Sequence, residues 1–444
     1  MGTKSGHVEI LAFCADKVSR LVSGLESAKR DISDGYEITR LGEKTRLEFD
    51  SKAPFRAALA VSHPETAPEL LEAGLERLKS GPFDNFTLAP GVFFGKHAPA
   101  GKLAFVFPGQ GSQYPFMGLG LAEAFEESIH VIKLAEKKFD REPALLSLIY
   151  PEDGKTNKTS SAAAAAALQE TDVAQPAIGL VSLVMLRILH RHGLFAEAAC
   201  GHSFGELTAL CAGGRIREPD FMMLAVERGR LMAEAGRSSS DSGKMLAVKA
   251  PSEIIEDLIA KNMAEVILAN RNSPNQGVIS GPSKEIERMQ AVLRKNRIIS
   301  AILPVSAAFH SRLIMDAARP FSETVFSTPF FPGRIPVYSN TTAAPYPQDR
   351  EAARVLLGEH LTRPVNFVDE ISGMYDSGVR TFMEVGPKSV LTGLIKNILA
   401  DLPHDAFSTD ASGGKQPAML DLAFALCRAA SLGYEVDLQK WPAA

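Results

Sequence analysis

A serine between two glycines is the residue best suited to nucleophilic chemistry in this sequence. The residues Gly201-His202-Ser203-Phe204-Gly205 match the pattern G-x-S-x-G, with a short predicted strand before them and a predicted helix after them. In that context the glycines permit a tight turn that exposes the serine hydroxyl, and the helix start offers backbone N–H groups to a developing oxyanion. The pattern itself is loose, so an ordinary turn serine is the alternative. The strand–turn–helix context favours a nucleophile.

A nucleophilic serine needs a base, and the chain has ten histidines from which to choose. His310, in the segment SAAFHS, follows a predicted strand end and is the best candidate by position. His190 and His192 lie at a predicted helix end, where capping is the better interpretation. His202 adjoins the serine and is expected to point elsewhere, into a polar contact with the strands. Considered alone, a loop histidine such as His310 is more often solvent-exposed than catalytic.

The segment FPGQGSQ, residues 107–113, ends the first predicted strand of the largest unit. Tyr114 stands where the third glycine of a dinucleotide-binding loop would fall, and the Gly-Lys-Ser/Thr of a phosphate-binding loop is missing. A turn that carries the polar Gln110 at the carboxyl end of a strand is instead well placed to complete an oxyanion site.

Charge, hydropathy and cysteine usage exclude several classes of function. The net charge of −4, with no basic stripe, argues against nucleic-acid binding. The longest apolar stretch is interrupted by Arg187 and is shorter than the roughly 20 residues of a membrane span. The first ten residues contain no apolar signal core, and the four cysteines have no metal-ligand spacing. These features predict a cytoplasmic protein with reduced thiols, no membrane contact, no metal and no bound cofactor.

Hydrophobic periodicity predicts the elements that must position the candidate residues. Residues 1–98 are expected to form a separate small α/β unit, and the Pro/Gly-rich segment LAPGVFFGKHAPAG, residues 88–101, is interpreted as its connector to the rest of the chain. The run LAFVF, residues 103–107, predicts a strand that is covered on both faces. The apolar segment 174–194 predicts a buried helix, and the alanines of 162–167 are interpreted as a surface insertion without functional weight.

The pattern of predicted elements changes twice in the second half of the chain. Residues 238–303 have the predicted element order β-α-β-β-α-β, which is that of a ferredoxin-like unit. This unit interrupts a larger α/β unit made of 99–237 and 304–400. Residues 401–444 are polar and loop-rich, and we expect them to form a linker or a segment that wraps around the rest.

Seven segments carry a resemblance to one family. They occur in order and at plausible distances: FVFPGQGSQ, AQPA, GHSFGE, ERGRLM, ANRNSPNQGVISG, AAFHS and EVGPKSVLTGLI. Over residues of about 100–400 the chain resembles the acyltransferase domain of polyketide and fatty acid synthases, a malonyl-CoA:acyl-carrier-protein transacylase. Residues 1–98 resemble the linker between ketosynthase and acyltransferase, and 401–444 the linker after the acyltransferase. Details of the segments lean towards iterative enediyne and polyunsaturated-fatty-acid synthases.

The resemblance implies an α/β-hydrolase-like core and assigns a role to individual residues. Ser203 matches the nucleophile, and His310 matches a base that is held by a backbone carbonyl and not by an aspartate. Gln110 and the backbone N–H of Phe204 match the oxyanion site. Arg228, which without the family would be interpreted as a surface helix arginine, matches the residue that pairs with the malonyl carboxylate. Asn270 and Asn272 lie in a matching segment and are assigned to lining the substrate cleft, and His202 and Phe309 are also assigned to substrate binding.

The implied reaction takes malonyl from malonyl-CoA and passes it to the phosphopantetheine thiol of an acyl carrier protein. The implied partners are that carrier, the ketosynthase and the other domains of the same synthase. One departure concerns selectivity: Ala307 stands where the malonyl-selective pattern His-Ala-Phe-His has its first histidine, whereas Phe309 is kept.

Two other functions share some of these features. An ordinary serine esterase has the same G-x-S-x-G turn but needs an acid before the histidine, and Arg228 and the segment PGQGSQ argue against it. A catalytically silent docking module is disfavoured because both Ser203 and His310 are present.

Overall fold

The computed structural model describes residues 8–81, 84–88, 91–152, 158–238, 241–263, 265–305 and 307–442. The first seven residues, part of the segment considered for a signal, lie outside this portion of the chain. The described residues form three sheets of four strands each. One sheet belongs to an N-terminal unit, one to the main unit and one to an inserted unit.

The N-terminal unit is an antiparallel sheet with helices packed on it. Its elements are β1 (Glu9–Ala15), α1 (Val18–Ser33), α2 (Ile38–Leu47), β2 (Phe55–Val61), α3 (Ala67–Ser80), β3 (Phe86–Leu88) and β4 (Val92–Lys96). The strand order is β1-β2-β4-β3, and leucines at helical spacing in α1 and α3 bury against the sheet. The prediction of a Pro/Gly-rich connector is wrong at β4, because this segment pairs with β2 and buries Phe93 and Phe94.

The main unit begins with the predicted buried strand and buried helix. Its first elements are β5 (Lys102–Phe107), α4 (Leu119–Ala124), α5 (Glu127–Phe139), α6 (Leu145–Ile149), α7 (Lys158–Ala167), α8 (Thr171–Arg191), β6 (Ala198–Gly201), α9 (Phe204–Ala212) and α10 (Glu218–Ser238). By length and composition α8 could cross a membrane, but 89% of its apolar window is buried inside the protein. It packs against α5, α9 and α10 as the central helix of the core.

The inserted unit has the predicted element order. Its elements are β7 (Lys244–Val248), α11 (Ser252–Asn262), β8 (Ile267–Ser273), β9 (Gln276–Gly281), α12 (Ser283–Lys295) and β10 (Ser300–Ile302). Neighbouring strands are antiparallel in the order β10-β7-β9-β8. The helices bury Ile255, Ile286 and Met289 with one face of the sheet, whereas Met245 and Val278 join the core of the main unit.

The chain then returns to the main unit. The remaining elements are α13 (Met315–Ser327), α14 (Arg350–Glu359), α15 (Phe367–Asp376), β11 (Val379–Glu384), α16 (Val390–Ile398), β12 (Asp405–Ser408) and α17 (Ala418–Leu432). The main sheet is parallel in the order β12-β11-β5-β6. β5 is an inner strand covered on both faces, which explains its unbroken apolar run. The carboxyl ends of β5 and β6 lead into the 107–113 loop and the Ser203 turn.

The end of the chain is ordered into core elements, so the prediction of a loop-rich tail is wrong. β12 is a strand of the main sheet, and α17 is a buried helix that packs on β2 and β4. Trp441 Nε1 donates to the Val8 carbonyl at 2.9 Å, and Arg56 Nε donates to the Ser431 carbonyl at 3.1 Å. One hydrophobic core therefore joins one face of the N-terminal sheet to α8, while the other face of that sheet has a core of its own.

Candidate active site

A cavity of about 280 Å³ lies between the main unit and the inserted unit. Met245 and Val278 of the inserted sheet line one side, and residues of the main unit line the other. The cavity brings together these predicted site residues: Gln110, His202, Ser203, Arg228, Asn270, Phe309 and His310. Phe204 buries its ring in the core, so it can offer the site only its backbone N–H.

Ser203 occupies a strained turn between β6 and α9, as the sequence predicted. Its backbone has φ 53° and ψ −112°, a left-handed region that residues with a Cβ rarely adopt. The flanking glycines are required by close backbone contacts. A Cβ on Gly205 would lie 1.9 Å from the Phe107 carbonyl oxygen, and one on Gly201 would lie 2.0 Å from the Gly205 carbonyl carbon. The turn therefore places the Ser203 hydroxyl at the cavity.

His310 is positioned to accept the proton of this hydroxyl. Ser203 Oγ lies 2.8 Å from His310 Nε2, while His310 Nδ1 lies 3.0 Å from the Arg363 carbonyl and 3.3 Å from the His360 carbonyl. Because a carbonyl can only accept, Nδ1 carries the hydrogen and Nε2 is the free acceptor. Burial and the charge of Arg228 lower the pKa of His310 to about 3, so the ring is neutral at physiological pH.

Arg228 is buried beside the nucleophile, so its interpretation as a surface arginine is wrong. It lies on α10, is 1% exposed, and its Nη2 is 3.5 Å from Ser203 Oγ. Within the described residues no carboxylate lies within 4.0 Å of its guanidinium. Burial lowers the pKa of Arg228 to about 9, and the charge of Glu206 opposes that shift. At neutral pH the cavity therefore holds a positive charge that none of the described carboxylates pairs with.

The proposed oxyanion groups lie where the 107–113 loop meets the Ser203 turn. A Cβ on Gly109 would lie 3.5 Å from Phe204 N, which measures how closely the loop approaches the start of α9. Phe204 is the first residue of that helix, so its N–H has no acceptor in a preceding turn. Gln110 Nε2 donates to Thr171 Oγ1 at 3.2 Å and lines the cavity.

His202 makes the polar contact that its position predicted. Its Nε2 lies 2.7 Å from Asn272 Oδ1 on β8, and its ring meets Phe367 edge-on. Burial lowers its pKa, and the contact with Asn272 opposes that shift. His202 thus ties the Ser203 turn to the inserted unit. Asn270, on the same strand, is buried and lines the cavity.

Sequence reasoning missed a cluster of buried polar residues beneath the turn. Glu206, Asn340, His360 and Glu370 are each 1% exposed or less and hydrogen-bond or pack closely around the turn. The one local signal was Glu206, a charged residue in the otherwise apolar helix α9. The others come from distant segments without a catalytic pattern. Gln175, in the segment AQPA, was also missed as a buried residue of the cavity wall.

Comparison with known proteins identifies relatives of this arrangement. The acyl transferase domain family matches residues 104–418. The malonyl CoA-acyl carrier protein transacylase of Bacillus subtilis strain 168 is 34% identical over 307 residues, which are 67% of this chain and 90% of that protein. The spectinabilin polyketide synthase system protein NorB of Streptomyces orinoci is 33% identical over 319 residues, or 71% of this chain. This chain spans only 14% of the length of NorB.

A solved structure shares the fold over nearly the whole length. The acyltransferase domain of the iterative polyketide synthase in enediyne biosynthesis has a TM-score of 0.73 at 24% identity, covering 97% of each chain. This likeness concerns the fold alone, and it includes the N-terminal sheet and the tail. The family match spans the main sheet, the Ser203 turn, the inserted unit and His310, and the chain belongs to the acyl transferase domain family.

Proposed function

We propose that this chain transfers malonyl groups from malonyl-CoA to the phosphopantetheine thiol of an acyl carrier protein, through an ester on Ser203. The observation that carries the proposal is Arg228: its buried guanidinium lies 3.5 Å from the Ser203 hydroxyl, and no carboxylate in the described part of the chain pairs with it. An unpaired buried charge is unfavourable unless a ligand neutralises it. An acyl group with its own carboxylate is such a ligand, and malonyl-CoA is its donor.

In the first half of the reaction, Ser203 Oγ attacks the thioester carbonyl carbon of malonyl-CoA. His310 Nε2 takes the hydroxyl proton as the new C–O bond forms. The N–H of Phe204 and the amide of Gln110 donate hydrogen bonds to the tetrahedral oxyanion. The C–S bond then breaks, and His310 returns the proton to the departing CoA thiol.

The second half reverses these roles with a different thiol. The phosphopantetheine thiol of the carrier gives its proton to His310 and attacks the ester carbonyl of malonyl-Ser203. The C–O bond breaks, and Ser203 Oγ recovers the proton from His310. The carrier leaves as a malonyl thioester, and no bound cofactor or metal takes part. Arg228 holds the malonyl carboxylate throughout both halves.

Selectivity for an unbranched acyl group is assigned to Phe309. Its ring lines the cavity one residue before the base, where it would crowd a substituent on the carbon next to the malonyl carboxylate. The side chain of Ala307 offers no hydrogen bond, so we assign the selectivity to the shape of Phe309 alone.

We also infer the finer architecture and the setting of the chain. The parallel main sheet with its nucleophile turn supports an α/β-hydrolase-like description of 99–237 and 304–400. The antiparallel order β10-β7-β9-β8 supports a ferredoxin-like description of 238–303. We propose that 1–98 and 401–444 serve as linkers to a ketosynthase and other domains of a synthase of iterative enediyne or polyunsaturated-fatty-acid type. A cytoplasmic location stays a prediction.

The test compares malonyl with acetyl loading in Arg228→Ala. Acetyl lacks the free carboxylate that the guanidinium would bind. Loss of the guanidinium should therefore strongly reduce the labelling of Ser203 by malonyl-CoA and leave labelling by acetyl-CoA unchanged. Truncating one partner of a desolvated charge pair costs about 2–5 kcal/mol, or roughly 30- to 5,000-fold in the malonyl-to-acetyl ratio. Intact-protein mass spectrometry after exposure to each acyl-CoA measures that ratio.

Arg230→Ala is the matched control, because Arg230 lies on the same helix but is paired at the surface with Glu227 and Glu234. It should leave the ratio unchanged. An unchanged ratio in Arg228→Ala would refute the carboxylate assignment. Arg271 would not replace Arg228, since it is already bound to Glu256 and Asn366.

The same labelling experiment distinguishes the two rival functions. An esterase would lose its acyl group to water quickly when no thiol is present, whereas the transferase should keep the ester until pantetheine or a carrier is added. A silent docking module would form no adduct on Ser203. The contacts of His310 Nδ1 with two carbonyls, and with no carboxylate of the described residues, weigh against the esterase.

A further inference from the structure

We propose that Asn340 is a positioning residue that holds the nucleophile turn in its reactive backbone conformation. The proposal rests on the proposed role of Ser203. Asn340 is 137 residues away from Ser203 in the chain, is fully buried and belongs to none of the segments that carry the family resemblance.

The side-chain amide of Asn340 forms hydrogen bonds with the backbone at two positions of the turn, Gly201 and Ser203. Ser203 N donates to Asn340 Oδ1 at 2.7 Å, and Asn340 Nδ2 donates to the Gly201 carbonyl at 2.6 Å. The Ser203 N–H can only donate, so it must face the amide oxygen of Asn340. The Gly201 carbonyl can only accept, so it must face the amide nitrogen. These two bonds therefore fix the orientation of the Asn340 amide. The same contact withdraws the Ser203 N–H from the oxyanion site and leaves that task to Phe204.

The protein holds Asn340 itself from two other helices. Its backbone N–H donates to Glu206 Oε2 on α9 at 2.6 Å, and its Nδ2 also donates to Glu370 Oε2 on α15 at 2.8 Å. Tyr346 OH donates to the other oxygen of Glu206. Glu370 Oε1 has no hydrogen-bond partner among the described residues, but every polar group that contacts Asn340 directly is paired with it, and paired buried polar groups are held rigidly. Asn340, which we call the clamp, is therefore anchored both to α9, the helix that starts at the turn, and to α15, which lies in a distant part of the chain.

A clamp is needed because the turn is strained. A serine at φ 53° persists only where its surroundings fix it in that conformation. If the clamp is lost, the backbone can relax and carry Ser203 Oγ away from His310 Nε2, which lies 2.8 Å from it. A displacement of about 1 Å in such a group costs roughly 10²-fold in rate. The loss should appear in the chemical step and not in substrate binding.

The experiment follows single-turnover acylation of Ser203 by malonyl-CoA in Asn340→Ala and Asn340→Asp. Asp has the shape of Asn and can still accept from Ser203 N, but its carboxylate cannot donate to the Gly201 carbonyl, and even a protonated carboxyl has one donor where the amide uses two, for Gly201 and Glu370. We expect both variants to react roughly 10²-fold more slowly, with the half-saturating malonyl-CoA concentration little changed and every molecule eventually labelled. Labelling by a small fluorophosphonate, which needs no malonyl recognition, should slow in parallel.

Two further variants separate positioning from stability. Thr328→Val removes a part-buried hydrogen bond to the Thr324 carbonyl, which involves no residue of the turn, so it should lower the melting temperature without slowing acylation. The double variant Asn340→Asp/Glu370→Gln restores a hydrogen bond between positions 340 and 370 but not the one to Gly201. The double variant should have a higher melting temperature than Asn340→Asp, but its rate of Ser203 acylation should stay roughly as low as that of Asn340→Asp.

Each outcome decides the proposal. Wild-type rates per folded molecule in Asn340→Asp, or full recovery of rate in the double variant, would overturn it. If Asn340→Ala does not fold, the isosteric Asp variant and the double variant still give the answer. If the wild-type protein reacts with the fluorophosphonate but not with malonyl-CoA, the proposed function fails, and the fluorophosphonate rates of the variants still test the clamp.

Discussion

The proton affinities of His310 and Arg228 are both set by burial in the same cavity. Burial and the neighbouring guanidinium lower the pKa of His310 to about 3, and burial lowers that of Arg228 to about 9. At neutral pH the imidazole is therefore uncharged and able to accept a proton, while the guanidinium keeps its charge. The arginine that would bind the acyl carboxylate also keeps the base unprotonated before the acyl group arrives.

This coupling predicts an unusual pH profile for malonyl loading. The base form of His310 exists above its pKa, so kcat/KM should stay level as pH falls through the ordinary histidine range near about 6.5. In the complex, the malonyl carboxylate offsets the charge of Arg228 and raises the pKa of His310, so the acid limb of kcat should lie at higher pH than that of kcat/KM. Single-turnover loading from about pH 4 to 8 measures both. An acid limb of kcat/KM near 6.5 would contradict the prediction.

At the scale of elements, the site depends on the contact between the start of α9 and the end of β5. Gly205 makes that contact possible, because its α-carbon faces the Phe107 carbonyl at a distance that admits no side chain. The contact fixes the height of the Ser203 turn above the main sheet and its separation from the 107–113 loop.

Gly205→Ala should therefore impair both stability and loading. A Cβ 1.9 Å from the Phe107 oxygen forces α9 away from β5, and overpacking of this kind costs about 1–3 kcal/mol or more. The matched control is Gly393→Ala on α16, where a Cβ would meet no atom within 4 Å; it should be neutral or stabilise by up to about 1 kcal/mol. Urea unfolding and the loading rate measure the two effects. Equal behaviour of the two variants would show that α9 moves freely.

The elements also show what a sequence can and cannot reveal. The Ser203 turn and the inserted unit were predicted because their signals are local: glycine spacing in one case, alternating periods in the other. β12 was missed because a four-residue strand at the edge of a sheet carries little pattern. Asn340 was missed because its role arises only from contact across 137 residues. The buried α17, by contrast, had a visible signal in its largely apolar sequence, which only Asp421, Arg428 and Ser431 interrupt.

At the scale of the whole molecule, the tail joins the N-terminal sheet to the main unit. α17 packs on β2 and β4, and Trp441 hydrogen-bonds to Val8 and packs near Phe125. The hydrophobic core is continuous through these contacts. The two units should consequently unfold together.

Trp441→Ala tests this continuity. Truncating a buried tryptophan costs about 3–5 kcal/mol, and because Trp441 is 3% exposed we expect a loss of that size. Circular dichroism and fluorescence of a probe in the N-terminal unit should then report one transition, shifted to lower urea concentration. Leu402→Ala, at a tail position that is 45% exposed, should shift it by less than about 0.5 kcal/mol. Two separated transitions in the wild-type protein would refute a shared core.

The positive φ of Ser203 has a consequence for durability. Ser203→Ala and Ser203→Gly remove the same hydroxyl and should both abolish loading, but only glycine accepts a φ of 53° without strain. Relief of such strain is worth about 1–3 kcal/mol, less about 0.4–1 kcal/mol for the freer unfolded chain of the glycine variant. Urea unfolding should therefore find the glycine variant the more stable of the two, and equal stabilities would mean an unstrained turn. If the glycine variant is also more stable than the wild-type protein, the backbone strain that activates Ser203 lowers the free energy of unfolding. The active protein would then unfold, and be degraded, more readily than its inactive variant.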